Sequence, residues 1–228
     1  MTARYAIYYA PPRACDLWRK ASAWLGRDAY DGSVCKRPEL PGLTEVELDT
    51  LTADPRSYGF HATLKAPFEL RSDRTEAELI DALHAFAGAR SAFRAGIAPD
   101  RIGPFHAFRL SEPSAEMEAL HADCVRAFEP FRAPLTEFDL VRRRRARLSA
   151  TQDARLVEWG YPYIFEDFRF HMTLTGPVTD DAMSGRLGAA LSEYFHEQTG
   201  PHLFDGVALF TQPDRSSPFV ILERAGFN

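Results

Sequence analysis

Residues 58–68 read YGFHATLKAPF and residues 168–178 read FRFHMTLTGPV. Aligned without gaps, Phe60/Phe170, His61/His171, Thr63/Thr173, Leu64/Leu174 and Pro67/Pro177 are identical, and Tyr58/Phe168 are both aromatic. Each copy is an apolar, aromatic run ended by proline, which predicts a strand. Alternate side chains of a strand share a face. Phe60, Ala62 and Leu64 therefore point to a core, as do Phe168, Phe170, Met172 and Leu174. The opposite faces carry Gly59, His61, Thr63 and Lys65 in one copy, and Arg169, His171, Thr173 and Thr175 in the other. An imidazole, a hydroxyl and a cation thus occur together twice.

That set suits a phosphodiester. One neutral imidazole can take a proton from water while the other, as imidazolium, protonates the departing alkoxide. An ordinary histidine pKa of about 6.5 keeps both forms accessible near neutral pH. Threonine hydroxyls, with Lys65 or Arg169, can hold the phosphoryl oxygens as charge shifts. The expected site is therefore His61 and His171 as the acid/base pair, with Thr63, Thr173, Lys65 and Arg169 binding phosphate. Which histidine is acid depends on which bridging oxygen leaves, and the residues leave that open. No metal or other cofactor is expected. Two histidines from separate strands lack the third ligand of a zinc site, and neither histidine-bearing face carries Asp or Glu.

A single strand histidine would be read as structural; the recurrence in matching context argues otherwise. Threonine is a common strand former, and exposed cations are commonly just solvated, so the histidines carry the reading. Neither GxGxxG nor GxxxxGK[ST] occurs, and there is no GxSxG. His84 and His121 fall within helical stretches, His196 near a helix end, His202 in a loop and His106 on a strand. The basic run Arg142–Arg145 with Arg147 spreads around a helix instead of forming a stripe. It reads as a solvated surface paired with acids. The alternative is that one or two of its members reach a terminal phosphate of the substrate or an RNA backbone.

Composition bounds the remaining choices. The chain has 228 residues, 45% of them hydrophobic, which excludes disorder and a disulfide-stapled miniprotein. A net charge of -5 argues against a long-duplex nucleic-acid binder, whose affinity would rest on phosphate neutralisation. Three cysteines with no CxxC spacing fit reduced thiols. The opening MTARYAIYYAPP carries no signal-peptide pattern, and no run of about 18 apolar residues suggests a membrane span. A cytoplasmic protein that engages no membrane is expected. Its oligomeric state is not legible.

The elements that must hold the two motifs follow from periodicity and breakers. Residues 4–10 read as a strand, 16–25 as a helix, and 27–56 as a long loop. The motif strand spans 58–68 and is followed by a helix over 75–90. Short strands are expected over 92–97 and 105–111. Helices are expected over 114–128, from Thr136, and up to Trp159. The second motif strand, 168–175, is followed by a helix over 180–196 and by strands over 203–211 and 218–224. The mixed order predicts an α+β fold: two related lobes in one domain over 1–228, with mostly antiparallel sheets facing a central cleft and helices outside.

Two HxT motifs, each on a strand, resemble the signature of the 2H phosphoesterase superfamily, which includes cyclic phosphodiesterases and 2'-5' RNA ligase-like proteins. The resemblance covers most of the chain in motif order and element pattern. It implies a bilobal fold with the two motif strands facing a groove. More narrowly, HATLKAPF, Trp159-Gly160-Tyr161-Pro162-Tyr163 and HMTLTGP resemble the 2H branch linked to phosphonate-metabolism operons. That branch implies a small cyclic sugar phosphate as substrate, such as phosphoribosyl 1,2-cyclic phosphate, opened to a bisphosphate. Two alternatives stand beside it. One is an RNA-end enzyme acting on 2',3'-cyclic termini or 2'-5' linkages, for which the arginine run would have to face the groove. The other is a binding module that senses a nucleotide or phosphorylated ligand without turnover.

Overall fold

The computed structural model describes residues 2–228. Eight strands form one antiparallel sheet: β1 (Arg4–Tyr9), β2 (Ala62–Glu69), β3 (Phe93–Ile102), β4 (Phe105–Leu110), β5 (His171–Thr173), β6 (Gly200–Phe204), β7 (Gly206–Gln212) and β8 (Val220–Gly226). Their order is β6-β3-β4-β5-β2-β1-β7-β8. The two motif strands lie side by side at its centre. They meet through a single pair, Ala62 and Met172. The two sheets expected from the sequence are thus the two four-stranded halves of one ladder, joined at one point.

Helices flank the halves: α1 (Asp16–Leu25), α2 (Glu45–Tyr58), α3 (Glu76–Gly88), α4 (Ala115–Ala127), α5 (Glu137–Arg144), α6 (Ala150–Trp159) and α7 (Asp181–Tyr194). The helix after each motif packs on its own half. α3 lies on β7 and β8, and α7 lies on β3. Thr75 caps α3 reciprocally with Glu78, and Ser149 does the same for α6 with Gln152. Each such box satisfies two N–H groups that the first turn would leave open. The core is aromatic-rich, with Phe60, Phe108, Phe128, Phe195, Phe204 and Phe210 fully buried.

Several elements depart from expectation. The stretch 27–56, expected as a loop, contains most of α2. Thr44 and Glu47 form a capping box at its start, and Pro55 sits in its last turn. Pro55 has no N–H, so the Leu51 carbonyl one turn earlier lacks a helical donor. It accepts instead from the backbone N–H of Gly176 at 2.7 Å, directly after the second motif. The first motif strand starts at Ala62 and not at 58, because α2 runs to Tyr58. The second is only three residues long. The strand expected over 203–211 is two strands, β6 and β7, which enter opposite halves with only Asp205 between them.

Candidate active site

The central pair sets the site. Continuing the antiparallel register from Ala62–Met172 puts His61 opposite Thr173 and Thr63 opposite His171. All four share one face, because Ala62 and Met172 point the other way and are buried. The structure therefore brings both HxT motifs together, each histidine across from the other motif's threonine.

Backbone carbonyls orient the two imidazoles alike. His61 Nδ1–H donates to the carbonyl of Gly59 at 3.0 Å, and His171 Nδ1–H donates to the carbonyl of Arg169 at 2.6 Å. In both motifs the acceptor is two residues before the histidine. This contact fixes the neutral tautomer and leaves each Nε2 as the proton acceptor. Thr63 Oγ1 lies 3.4 Å from His61 Nε2. The Gly59 carbonyl is presented by a residue at φ +77°, where a Cβ would lie 2.4 Å from that of Ala29. Only glycine fits that position.

The surroundings of the two histidines differ. Tyr8 stacks on His61 with ring centroids 3.9 Å apart, and Tyr58 and Phe210 lie 5.9 Å away. Burial among these rings, with a smaller contribution from His171, pushes the His61 pKa down to about 4. His61 is thus neutral at pH 7. His171 is instead the cross-strand partner of Arg109 on β4, whose Nη1 pairs with Asp100 at 2.6 Å. Arg109 is a cation beside the site that motif reading overlooked. Its signal was the alternation of FHAFRLS, which put Arg109 on the face opposite His106. Tyr8 on β1 lies opposite Thr63.

Lys65 does not join the site, contrary to the expectation from strand alternation. On β1, Tyr8 pairs with Thr63 but Ile7 pairs with Lys65, so Leu64 is an extra residue in β2. This bulge reverses the alternation and turns Lys65 to the back face. There its Nζ, almost fully buried, donates to the Val125 carbonyl at 3.0 Å and to Glu129 at 2.7 Å. Arg169 is exposed, and its Nη1 donates to the carbonyls of Glu166 and Phe168. What Arg169 gives His171 directly is its own carbonyl. Thr173 is half-buried on the site face, whereas Thr175 is fully buried and accepts from the His106 N–H at 3.0 Å.

The other histidines with resolved contacts make local ones. His106 bonds Ser184, His202 bonds Tyr9 from within β6, and His121 lies flat on Phe168 while accepting from the Phe165 N–H. The arginine run fans out as its spacing predicts. Arg142 pairs with Asp139 and Arg144 with Asp153, while Arg143 alone turns over the Tyr161 ring, 5.2 Å from its centroid. The run thus presents no single basic stripe. Among the described residues, no three His, Cys, Asp or Glu side chains converge as a metal site would require. No helix among the described residues is long and apolar enough to cross a membrane.

Comparison with known proteins places the chain among relatives. It is 37% identical over 232 residues to a protein of Janthinobacterium sp. (strain Marseille) named ribose 1,5-bisphosphate phosphokinase PhnN, an alignment covering 99% of this chain and 51% of that one. It is 33% identical over 216 residues to the protein of the same name from Laribacter hongkongensis (strain HLHK9), covering 95% and 50%. The chain spans about half the length of these curated relatives. Among solved structures it is similar to E. coli LigT complexed with 3'-AMP, with a TM-score of 0.43 and 13% identity, covering 100% of this chain and 99% of that one. A crystal structure of a phosphoesterase matches with a TM-score of 0.44 and 13% identity, covering 100% and 99%. Residues 63–220 match the family described as protein of unknown function DUF1045, and the chain belongs to that family.

Proposed function

We propose that the protein hydrolyses a small cyclic phosphodiester, with His61 and His171 as the acid/base pair and without a metal ion. The observation that carries this reading is the paired geometry of the motifs. Two imidazoles on one face are each tied at Nδ1 to the carbonyl two residues earlier, and each lies opposite a threonine.

The asymmetry of the surroundings supports a division of roles. His61, held neutral beneath Tyr8, accepts a proton from the attacking water at Nε2. The water oxygen bonds to phosphorus as the bond to one ring oxygen breaks. His171, protonated, gives its Nε2 proton to that oxygen, which leaves as a hydroxyl. Thr63 and Thr173 donate to the non-bridging oxygens, and Arg109, already paired with Asp100, offers its remaining guanidinium N–H groups on the His171 side. The turnover consumes one water and leaves a phosphate monoester. Proton exchange with solvent then restores both imidazoles.

The substrate we favour is phosphoribosyl 1,2-cyclic phosphate, opened at the bond to O2. The product would be ribose 1,5-bisphosphate, the compound named as kinase substrate in the curated relatives. The chain itself has no GxxxxGK[ST] phosphate loop, so that kinase activity is not proposed for it. The test is a product assay, with EDTA present, over phosphoribosyl 1,2-cyclic phosphate, nucleoside 2',3'-cyclic phosphates and RNA oligomers carrying 2',3'-cyclic ends or 2'-5' linkages. Release of ribose 1,5-bisphosphate from the first supports the proposal. Loss of all turnover on chelation overturns the metal-free mechanism, and turnover of RNA ends alone overturns the substrate assignment. Binding of these ligands without any product favours a sensing module.

A further inference from the structure

Four guanidinium groups meet in a groove at the Arg4 end of β1, and only two carboxylates answer them. Arg4, Arg142, Arg143 and Arg215 line one groove with Glu69 and Asp139. Arg142 pairs with Asp139 at 3.0 Å. Arg215 pairs with Asp139 at 3.0 Å and with Glu69 at 3.2 Å. Those two arginines and two acids neutralise one another, and Asp139 is held down to about 2 by its arginine and threonine partners despite its burial. Arg4 and Arg143 are left over. Arg4 donates only to the neutral side-chain carbonyl of Gln212. Arg143 makes no ion pair and no side-chain hydrogen bond among the described residues, and its Nε is buried without a partner. A buried polar group without a partner is costly and calls for an explanation.

The two unneutralised arginines lie on the side of the site that His61 occupies. Arg143 caps the Tyr161 ring. Tyr58 stacks beside His61 with ring centroids 5.9 Å apart, and Tyr8 stacks on His61 at 3.9 Å. Arg4 and Tyr8 are four residues apart on one strand, hence about 13 Å apart and on the same face. The arrangement runs from the catalytic imidazole over a tyrosine surface to a groove with two excess positive charges. A phosphate monoester carries close to that charge with opposite sign at neutral pH, and guanidinium forks match its oxygens.

We propose that Arg143 and Arg4 form a second anion subsite that holds a terminal phosphate monoester of the substrate. Tyr58 and Tyr161 line the span between that phosphate and the reacting ring. The preferred substrate class is then a cyclic phosphodiester that bears a separate phosphate group, not a bare nucleoside cyclic phosphate. This inference rests on the phosphodiesterase reading above for its kinetic test, but its binding test does not.

The test compares wild type, Arg143→Met, Arg143→Lys and Arg4→Met on ribose 1,2-cyclic phosphate with and without a 5-phosphate. Wild type should prefer the phosphorylated ring in kcat/KM. Each Met variant should lose that preference by about 10- to 100-fold, mostly through KM, as expected for a lost charged hydrogen bond. Arg143→Lys should keep part of it, which separates a lost contact from a disturbed fold. Arg145→Met, at an exposed position, should retain the wild-type ratio. An unchanged ratio in Arg143→Met, or indifference of wild type to the 5-phosphate, overturns the subsite. If wild type opens neither ring, the phosphodiesterase reading fails and calorimetry decides the subsite alone. Binding of ribose 5-phosphate, but not ribose, that is weakened in Arg143→Met supports it; no binding to wild type overturns it.

Discussion

Tyr8 lies face to face with His61, the two ring planes 22° apart, and no ring among the described residues covers His171 in this way. The motifs are matched in their backbone, and the neighbouring strands make them chemically unequal. β1 supplies Tyr8 beside the first motif, and β4 supplies Arg109 beside the second. Because desolvation lowers the His61 pKa, its neutral base form persists down to about pH 4. The acid limb of kcat/KM for wild type should therefore fall only near that pH. Tyr8→Leu admits water to His61 and should move the limb upward by one to two pH units. An acid limb unmoved in the folded variant would remove His61 from the role of base.

Removal of either imidazole should be severe. His61→Ala and His171→Ala are each expected to lower kcat by about 10²- to 10⁴-fold. The double variant should fall little further than the worse single one, because the two groups act in one proton cycle. Initial rates on the cyclic substrate measure this. Full activity in either single variant would contradict the assignment.

Lys65 should behave as a structural residue. Its ammonium lies between the Val125 carbonyl and Glu129, and Glu129 also holds Arg132 at 2.6 Å. Lys65→Met removes one partner from a largely buried group and should cost about 1–3 kcal/mol of stability. In the folded fraction kcat/KM should stay within a few-fold of wild type. Denaturant unfolding and steady-state kinetics separate the two effects. A large loss of activity with unchanged stability would return Lys65 to the site.

Acid should destabilise the fold in a defined window. His61, His121 and His202 are each pushed down to about 4 by burial. Each folded pKa lies below the unfolded value of about 6.5, so between these values the unfolded chain binds the extra protons. Stability is then fully present above about pH 6.5 and lost as pH falls toward 4. Each group contributes at most about 1.4 kcal/mol per pH unit, less where water reaches it. Thermal unfolding followed from pH 7.5 to 4.5 should show a plateau and then a steady decline. A melting temperature that stayed level through this range would refute the shared origin.

The parts of the site that strand alternation governs were legible in the sequence. His61, Thr63, His171 and Thr173 do share a face, and Phe60, Ala62, Leu64, Met172 and Leu174 are buried as their spacing implies. Alternation failed at Lys65 because a bulge inserts Leu64, and a bulge leaves no signal in a single sequence. The helix before the first motif was hidden by Pro55, which reads as a breaker until a distant Gly176 N–H satisfies the carbonyl it exposes. Alternation set the face of Arg109 on its strand, but only the order of strands in the sheet makes it a neighbour of His171.

The position of Asp205 bears on how the chain assembles. The half with His171 is built from one unbroken stretch, β3 to β6, whereas the half with His61 combines β1 and β2 with β7 and β8 from the far end of the chain. During synthesis the second motif's half can close first, while the first motif waits on β1 and β2 alone, a strand pair whose long connection carries α1 and α2 and which is marginal by itself. The half whose strands are made earliest is thus finished last. A ribosome-bound chain that has not yet exposed residues 206–226 would hold His171 in place against an incomplete partner, and the shared site would come into being only with the final strands.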